Sequence, residues 1–472
     1  MCRQGLGAHD GLPGRQPLSV RPAPGLAPAF GLAIVGLGAS LAPLDIAVNV
    51  ALPAITAHFR LPLGDVQWLV ICYVLVYGSL MLVCGKLGDL FGHRLIFRLG
   101  LAVSAVGCAA CAAATDWSWF LAARALQGVG TAFAISCTPA LAVSLYPPAQ
   151  RLRALAAFSM TVSLASAIGP MLGGVLVELG GWPAVYWIRV PVSLLALAMS
   201  VMLPRPTVDA RPFDFWGGAL VATIMSTFLA ALVIAQHKEV SHWLAFAVFL
   251  VSVGLTLWYV KRSRTVAEPI IRPGLFADLT FTIPNVMNWF ASLAAFSILL
   301  LTPYYLVNVL ELSAVVSGLV LGIAYVAGLA GAPVAAWLVP RIGRRQTVFC
   351  GVALIGLALI PLGLTNARTP LGAVGLLLAA EGLGIGLLGV AYTDLVVDTL
   401  PAHDRGVAGS LALLTRTMGN VSGAAVLSAL FTAGAVGGDF LLGYRFALTT
   451  AGGGLLAVLA LSCLQPRAWF SR

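Results

Sequence analysis

Charged residues are scarce in this chain. Only 9% of its 472 residues are Asp, Glu, Lys or Arg, while 60% are hydrophobic. Soluble proteins carry roughly 25% charged residues, and a soluble chain of this length would form about three domains, whose surfaces these few charges cannot cover. The mean hydropathy is +0.97. These shortages exclude an ordinary soluble protein and indicate that the chain lies in a lipid bilayer.

Signatures of enzymes and metal sites are also missing. The sequence has no H-E-x-x-H pair, no paired-aspartate metal motif and no phosphate-binding loop, the patterns that hold a catalytic metal or a nucleotide. Cys108 and Cys111 have C-x-x-C spacing, but the alanines around them favour packing over metal binding. We therefore expect no enzyme activity, no metal and no cofactor, and any energy for work must come from an ion gradient.

Long apolar runs fill most of the remaining sequence. A membrane-spanning helix needs about 20 mostly apolar residues, and fourteen windows meet that need. The predicted spans 1 to 14 cover residues 29–54, 66–84, 95–114, 118–145, 154–177, 185–204, 213–236, 243–260, 281–303, 314–338, 346–365, 371–398, 406–434 and 441–464. Residues 1–27 are rich in Pro, Gly and Arg without periodicity, which predicts a disordered tail.

The basic residues divide unevenly between the two sides of these spans. With both termini inside, the inner segments hold 20 of the 27 Lys and Arg residues, and the outer loops hold 3. Because positive charge collects on the cytoplasmic side, we predict a multi-pass protein of the cell membrane with both termini in the cytoplasm. The bases are dispersed over every inner loop, which argues against nucleic acid as a partner.

One inner loop, "CGKLGDLFGHRL", interrupts the apolar pattern between spans 2 and 3. Gly85, Gly88 and Gly92 permit a tight reversal and close helix approach. Asp89 is an acceptor that can meet the positive N-terminus of a neighbouring helix, and Arg94 lies on the inner surface. By itself the loop is also compatible with an ordinary cytoplasmic turn.

This loop resembles a loop motif of the major facilitator superfamily, and further motifs follow in the family's order. They include features of its drug:proton antiporter branch with fourteen spans. The matching segments are "LDIAVNVALP" (Leu44–Pro53), "LAARALQGVGTA" (Leu121–Ala132), "GPMLGG" (Gly169–Gly174), "FDFWGGAL" (Phe213–Leu220) and "DRGVAGS" (Asp404–Ser410). The resemblance covers residues 29 to 464 and does not specify the substrate.

The resemblance implies an all-α integral membrane fold with two six-helix bundles and two inserted helices, making fourteen spans. The two bundles of this family are related by a pseudo-two-fold axis along the membrane normal. The predicted divisions are a tail at 1–27, an N-terminal bundle at 28–204, the inserted helices at 205–264, a C-terminal bundle at 265–464 and a tail at 465–472.

The resemblance also implies a secondary transporter that exports drug-like molecules or metabolites in exchange for protons by alternating access. The expected partners are a small-molecule substrate, protons and the lipid bilayer, and we expect a monomer. Two alternatives remain open. One is a proton-coupled or facilitated uptake carrier of the same fold, and the other is an integral-membrane enzyme or sensor.

Two ionisable residues lie at similar depth in helices that line the central cavity of the resembled family. Asp45 is about 13 Å from the outer end of span 1, and Arg124 is about 9 Å from the outer end of span 4. A carboxylate and a guanidinium at similar depth can neutralise each other, so we predict proton coupling by Asp45 and Arg124, with a static ion pair as the alternative. Asn49 and Gln127 share their helix faces and are candidate cavity residues.

Three further charged residues in the spans need an interpretation, because ionisable groups inside a membrane are costly and usually functional. Glu381 lies about 15 Å into span 12, among small residues, and is a candidate for proton or substrate contact. Asp394, nearer the inside, is a weaker cavity candidate. Arg189, near the outer end of span 6, is interpreted as a residue that reaches the membrane surface.

The motif in span 5 combines a proline with glycines. Gly169 and Pro170 interrupt the helix ladder, since proline lacks the N–H group, and Gly173 with Gly174 gives a smooth surface. A bend beside such a surface suits helices that seal tightly and yet rock, which is the antiporter interpretation. A bend without any moving part is the alternative.

Overall fold

The computed structural model describes residues 28–147, 151–204, 214–235, 242–266, 269, 273–399, 405–465 and 469. Regular structure within these residues is helical, and they contain no strand. The all-α prediction is therefore confirmed. The predicted tail at 1–27 lies outside the described residues, as does most of the tail at 465–472.

Each predicted span corresponds to a helical segment. The first half contains Pro28–Ala39 and Ala47–Phe59 (span 1), Leu63–Phe91 (span 2), His93–Ala112 (span 3), Trp117–Ser144 (span 4), and Arg151–Trp187 with Arg189–Met199 (spans 5 and 6). The inserted pair is Phe215–Ile234 (span 7) and His242–Ser263 (span 8). The second half contains Leu279–Leu300 continued by Thr302–Tyr304 and Tyr305–Val309 (span 9), Ala314–Ile342 (span 10), Arg344–Gly363 (span 11), Leu371–Thr399 (span 12), Arg405–Gly434 (span 13) and Phe440–Ser462 (span 14).

The length and composition of these helices fit a membrane. Ten helices in the described part of the chain are long and apolar enough to cross a bilayer, and two shorter apolar helices, Trp68–Met81 and Trp216–Phe228, accompany them. Large apolar side chains such as Leu179, Trp243 and Leu376 are exposed on the outside of the molecule. In water such a surface would drive aggregation, whereas lipid solvates it.

Spans 5 and 6 are joined by a reversal at Gly181, whose φ of 69° interrupts the helix Arg151–Trp187. Gly173, before the reversal, packs against Ala47 of span 1. Arg189, after the reversal, hydrogen-bonds Leu41, which lies earlier in span 1. Span 5 therefore runs parallel to span 1, and span 6 runs antiparallel to it.

The two halves repeat one pattern of helices. Leu63–Phe91 and Ala314–Ile342 each contain 29 residues, and each is followed by a helix of 20 residues. The connection in both cases is a glycine with positive φ, 95° at Gly92 and 98° at Gly343, a conformation that glycine adopts without steric cost. This repeat fits the two related bundles expected from the sequence.

Equivalent glycines also bring equivalent helices together. A Cβ atom on Gly100 of span 3 would lie 2.8 Å from the Gly130 carbonyl oxygen of span 4. A Cβ atom on Gly351 of span 11 would lie 2.8 Å from the Gly384 carbonyl oxygen of span 12. Gly130 and Gly384 therefore occupy corresponding positions in the two halves.

Spans 7 and 8 form a hairpin beside the two halves. Arg262, at the end of span 8, donates to both carboxylate oxygens of Asp214, over 2.7 and 2.5 Å. Asp214 also accepts the Gly217 N–H at 2.8 Å and so caps span 7. The hairpin packs against spans 2 and 13, and Phe228 contacts Trp289 of span 9. It therefore lies along the seam between the halves.

Candidate functional site

A break in span 1 positions Asp45. The α-helix stops at Ala39 and resumes at Ala47, with a 3-10 turn at Pro43–Ile46 between them. Pro43 has no N–H to continue the ladder. The Asp45 N–H bonds the Ala42 carbonyl oxygen, and the Leu41 carbonyl oxygen accepts a hydrogen bond from Arg189. The carboxylate of Asp45 thus leaves the helix at an irregular point near its middle.

Arg124 holds both oxygens of this carboxylate. Its NH1 donates to Asp45 Oδ1 at 2.9 Å and its NH2 to Oδ2 at 3.0 Å. Its Nε donates to the Leu69 carbonyl oxygen at 3.1 Å, and NH1 also reaches Gln127 Oε1 at 2.7 Å. Gln127 in turn donates to Asp45 Oδ1 at 3.1 Å. The structure thus joins the two residues that the sequence placed at similar depth, with Gln127 as a shared neighbour.

Arg189 is a third member of this cluster, and the sequence interpretation of it was wrong. It does not reach the membrane surface, because only 1% of the residue is exposed. Its NH1 lies 2.7 Å from Asp45 Oδ1. Span 6 begins directly after Gly181, so Arg189 lies about 10 Å along its helix, deeper than the predicted start at residue 185 implied.

Aromatic rings enclose the two guanidinium groups. The Arg124 guanidinium lies 4.5 Å from the centre of the Tyr73 ring and 5.7 Å from that of Tyr186, while Arg189 lies 5.9 Å from the Tyr186 ring. Such rings attract a cation through their negative faces. Neither tyrosine could be identified from the sequence, since two aromatic residues on separate apolar helices carry no local signal.

Glu381 is a buried carboxyl group in the other half. It precedes Gly384 by the same spacing that separates Gln127 from Gly130, so the internal repeat makes Glu381 and Gln127 counterparts. Only 2% of Glu381 is exposed, and no described residue hydrogen-bonds its Oε1. Unlike Asp45, this side chain has no guanidinium beside it among the described ion pairs.

The two other polar cavity candidates differ in their positions. Asn49 is half-buried on span 1, one turn beyond Asp45. Asp394 is exposed and forms an ion pair of 2.5 Å with Arg344 at the start of span 11. This pair tethers two helix ends, and the place of Asp394 in the cavity stays a prediction.

The inner loop between spans 2 and 3 is a compact reversal. Gly92 takes the positive φ already described, and a Cβ on Gly88 would lie 2.5 Å from His93 Nδ1. Gly85 has more room, since its nearest neighbour would be 3.9 Å away. Arg94 donates to the Val201 carbonyl oxygen at the end of span 6. The side chain of Asp89 lies outside the described residues, so its proposed contact with a helix N-terminus stays a prediction.

The glycine motif of span 5 packs against both halves. A Cβ on Gly173 would lie 2.7 Å from the Ala47 carbonyl oxygen of span 1. Gly169 faces the same helix, and Pro170 presents its carbonyl oxygen to Gly318 of span 10. The motif therefore lies where span 5 touches its own half on one side and the other half on the opposite side.

The halves are in contact at the end that the sequence predicts to be outer. A Cβ on Gly174 would meet the backbone of Ala314 and lie 2.9 Å from Val315 Cα. At the same end, the hydroxyl groups of Thr56 and Tyr304 lie 2.6 Å apart, joining span 1 to span 9. This structure is therefore closed at that end.

Comparisons with known proteins agree with this architecture. The tetracenomycin C resistance and export protein of Streptomyces glaucescens is 31% identical over 86% of this chain and 75% of that protein. The riboflavin transporter RibZ of Clostridioides difficile strain 630 is 26% identical over 85% of this chain and 87% of that protein. These names describe transporters and not enzymes.

A solved structure shows the same fold. The bacterial homolog of the human lysosomal transporter Spinster, in an inward-facing and unoccupied conformation, superposes with a TM-score of 0.69 at 17% identity, covering 94% of this chain and 97% of that chain. The family model described as Major Facilitator Superfamily matches residues 29–424. With its paired halves and its membrane helices, this chain belongs to the major facilitator superfamily.

Proposed function

We propose that this protein exports a small molecule, drug-like or metabolite, across the cell membrane in exchange for protons. Related proteins named for resistance and export support the direction. The observation that carries the proton coupling is Glu381, a buried carboxyl group whose Oε1 has no partner among the described residues. No nucleotide motif is present in the sequence, so a proton gradient is the proposed energy source.

The electrostatics of Glu381 suit reversible proton binding. An ionised carboxylate buried without a partner costs several kcal/mol, so in a closed, dry environment the side chain is most stable with a proton. Water or a cationic group of the substrate lowers the cost of the charged form. A motion that opens this region to water therefore favours proton release, and closure favours proton uptake.

Asp45 is held in the opposite state. Arg124 and Gln127 donate three hydrogen bonds to its oxygens, and Arg189 adds a second positive charge. All four residues lie in the first half, so a rigid rocking of the two halves leaves their separations unchanged. We propose that this cluster, in which Gln127 is fully buried, keeps the first half rigid and polar beside the cavity. Asn49 is then available to the substrate, while Glu381 exchanges the proton.

Alternating access would use the seal between spans 5 and 10. In this structure Gly174 and Gly318 hold the two halves together at the predicted outer end. Rocking about the midplane would open this seal and close the inner end. We propose both termini in the cytoplasm and a monomer as the working unit.

The test is transport into everted vesicles from cells that produce the protein, with riboflavin and tetracenomycin C as first probes. The lumen of such vesicles corresponds to the outside, so acidifying it should drive uptake of an exported compound. Counterflow of labelled compound in proteoliposomes separates a carrier from a sensor. Failure of every probe of a broad drug panel to move in either assay would contradict the proposal.

Uptake is the second candidate, because one relative is named as a riboflavin transporter. A proton-coupled uptake carrier would respond in the opposite sense, with an acidic lumen driving the compound out of everted vesicles. The same vesicles, preloaded with labelled riboflavin, distinguish the two directions.

A further inference from the structure

Arg189 adds a second buried positive charge to a cluster whose one carboxylate, that of Asp45, already balances Arg124. Arg124 and Arg189 are each 1% exposed. Arg189 NH2 donates to the Leu41 carbonyl oxygen at 3.0 Å, and NH1 lies 2.7 Å from Asp45 Oδ1 without hydrogen-bond geometry. Its Nε also finds no acceptor among the described residues. This guanidinium is therefore held mainly by its ion pair with Asp45 and by one hydrogen bond to a carbonyl oxygen. It lacks a full set of hydrogen bonds.

The charges around Asp45 make the imbalance explicit. Among the residues that the structure describes, the charged and titratable groups that face it are Arg124, Arg189, Tyr73, Tyr186, Cys108 and Cys111, from spans 2, 3, 4 and 6. No second acid is among them. The cluster carries one net positive charge when Asp45 is ionised and two when Asp45 is protonated or replaced by a neutral residue. Two buried cations with no counter-ion repel strongly.

We infer that Arg189 is a positioning residue that locks Asp45 as a carboxylate and fastens the break in span 1 to span 6. It contacts two residues of the break: it donates a hydrogen bond to the carbonyl oxygen of Leu41, and it forms an ion pair with the side chain of Asp45. Under the proposed function, which this inference deepens, Arg189 keeps the exchanged proton off the first half and leaves it to Glu381.

The experiment is a double-mutant cycle on the purified full-length protein, followed by thermal unfolding in detergent. Asp45→Asn should lower Tm by about 5 °C or more, since it leaves two buried guanidinium groups without a counter-ion. Adding Arg189→Gln returns the cluster to the one net positive charge of the wild type and should recover most of that loss. Arg445→Gln, an exposed arginine of span 14, is the matched control and should neither lower Tm nor rescue Asp45→Asn.

The pH dependence of Tm supplies a readout that a simple anchor would not change. Asp45 stabilises the fold while it is ionised, and this contribution is lost as the pH falls and the carboxylate takes a proton. With one cation removed in Arg189→Gln, the acid-induced fall in Tm should begin about one pH unit higher or more. Arg189→Lys keeps the charge and should restore most of the wild-type profile.

Additive Tm losses in the cycle, together with an unchanged acid profile for Arg189→Gln, would overturn the inference and leave Arg189 a structural anchor. If Asp45→Asn cannot be purified, recovery of folded protein in the double variant becomes the supporting result, and its absence counts against the inference. None of these measurements uses transport, so a failure of the proposed function would show separately, as absent transport in the wild-type protein with an intact Tm cycle.

Discussion

The two halves of this protein share one helical scaffold and treat buried charge in opposite ways. In the first half, Asp45 lies between Arg124 and Arg189 and is saturated with donors. In the second half, Glu381 replaces Gln127 in the repeat, and the counterpart of Arg124 is the buried Leu378. One carboxyl group therefore has two cations, and the other has none beside it among the described ion pairs.

This difference assigns different physical tasks to the halves. A buried ion pair is stable only as a complete set, and removing one partner typically costs about 3–5 kcal/mol, so the first half is suited to a fixed charge. An unpaired buried carboxyl group changes its charge easily when water or a ligand arrives. The second half is therefore suited to a charge that varies during the transport cycle.

The largest expected effect separates these two carboxyl groups directly. Glu381→Gln should reduce accumulation driven by a pH gradient by more than about tenfold, equivalent to about 1.4 kcal/mol or more of lost coupling, while substrate counterflow continues. Its Tm should stay close to that of the wild type, because a neutral amide resembles the protonated carboxyl group that is most stable in this dry environment. The measurement is transport in proteoliposomes with and without an imposed gradient, with Tm recorded on the same preparation.

Asp394→Asn is the matched control for this prediction, since the structure places that acid in an exposed pair with Arg344. It should transport at the wild-type level. Accumulation at the wild-type level by Glu381→Gln would show that Glu381 does not carry the exchanged proton. Asp45, which the sequence alone suggested, would then be the better candidate.

A smaller effect is expected where the halves meet. Gly174→Ala places a methyl group against the backbone of Ala314 and Val315, so the closed outer end should open and the rate of transport should fall severalfold. A cysteine introduced at Thr56, which contacts Tyr304 across the seam, should then react faster with an impermeant thiol reagent.

Gly389→Ala is the control for Gly174→Ala, because nothing lies within 4 Å of the position of its Cβ. This variant should match the wild type in both assays. If Gly174→Ala leaves both the rate and the labelling unchanged, the glycine surface of span 5 is a packing feature and not a seal.

The smallest effect is expected in the inserted hairpin, which belongs to neither half. Hydrogen bonds from Arg262 hold the pKa of Asp214 below its ordinary value, so the ionised side chain stabilises the hairpin at neutral pH. That contribution is lost as the pH falls below about 4 and through the lowered pKa. Asp214→Asn should therefore lower Tm slightly at neutral pH and flatten its acid dependence.

Transport by Asp214→Asn should stay at the wild-type level, and Arg264→Gln, a change at an exposed neighbour outside the pair, should alter neither Tm nor its pH dependence. A strong loss of transport in Asp214→Asn would show that the hairpin takes part in the motion of the halves.

Much of the fold could be predicted from the sequence, because transfer into lipid is a sum over the residues of a window. Each of the fourteen windows selected by its summed hydrophobicity corresponds to a helical segment of the described residues. The sum does not depend on which helices pack beside the window. The depth of a residue along its helix follows in the same way, which is why Asp45 and Arg124 could be matched before their contact was seen. The glycines of the inner loop, such as Gly92, predicted a reversal of the chain, because only a residue without a side chain adopts a positive φ at little steric cost.

Other features depended on rotation about the helix axes and on the exact start of each helix. Span 6 was predicted to begin at residue 185, whereas the helix begins directly after Gly181. Because of this difference, Arg189 was expected at the membrane surface, although it is a buried ion-pair partner. Asp394 lies beside Arg344 in an exposed ion pair, a contact that the sequence did not indicate, since the neighbour of a helix residue is decided by packing.

The sequence by itself therefore determined which segments form helices suited to a membrane, which family of folds they form and where along each helix the charges lie, because these follow from composition and local geometry. Only the tertiary structure decided that Asp45 has two cations and Glu381 an unpaired oxygen. Whether a charged side chain has an ion-pair partner depends on the distance between helices that are far apart in the chain, and a local sequence pattern does not contain that distance.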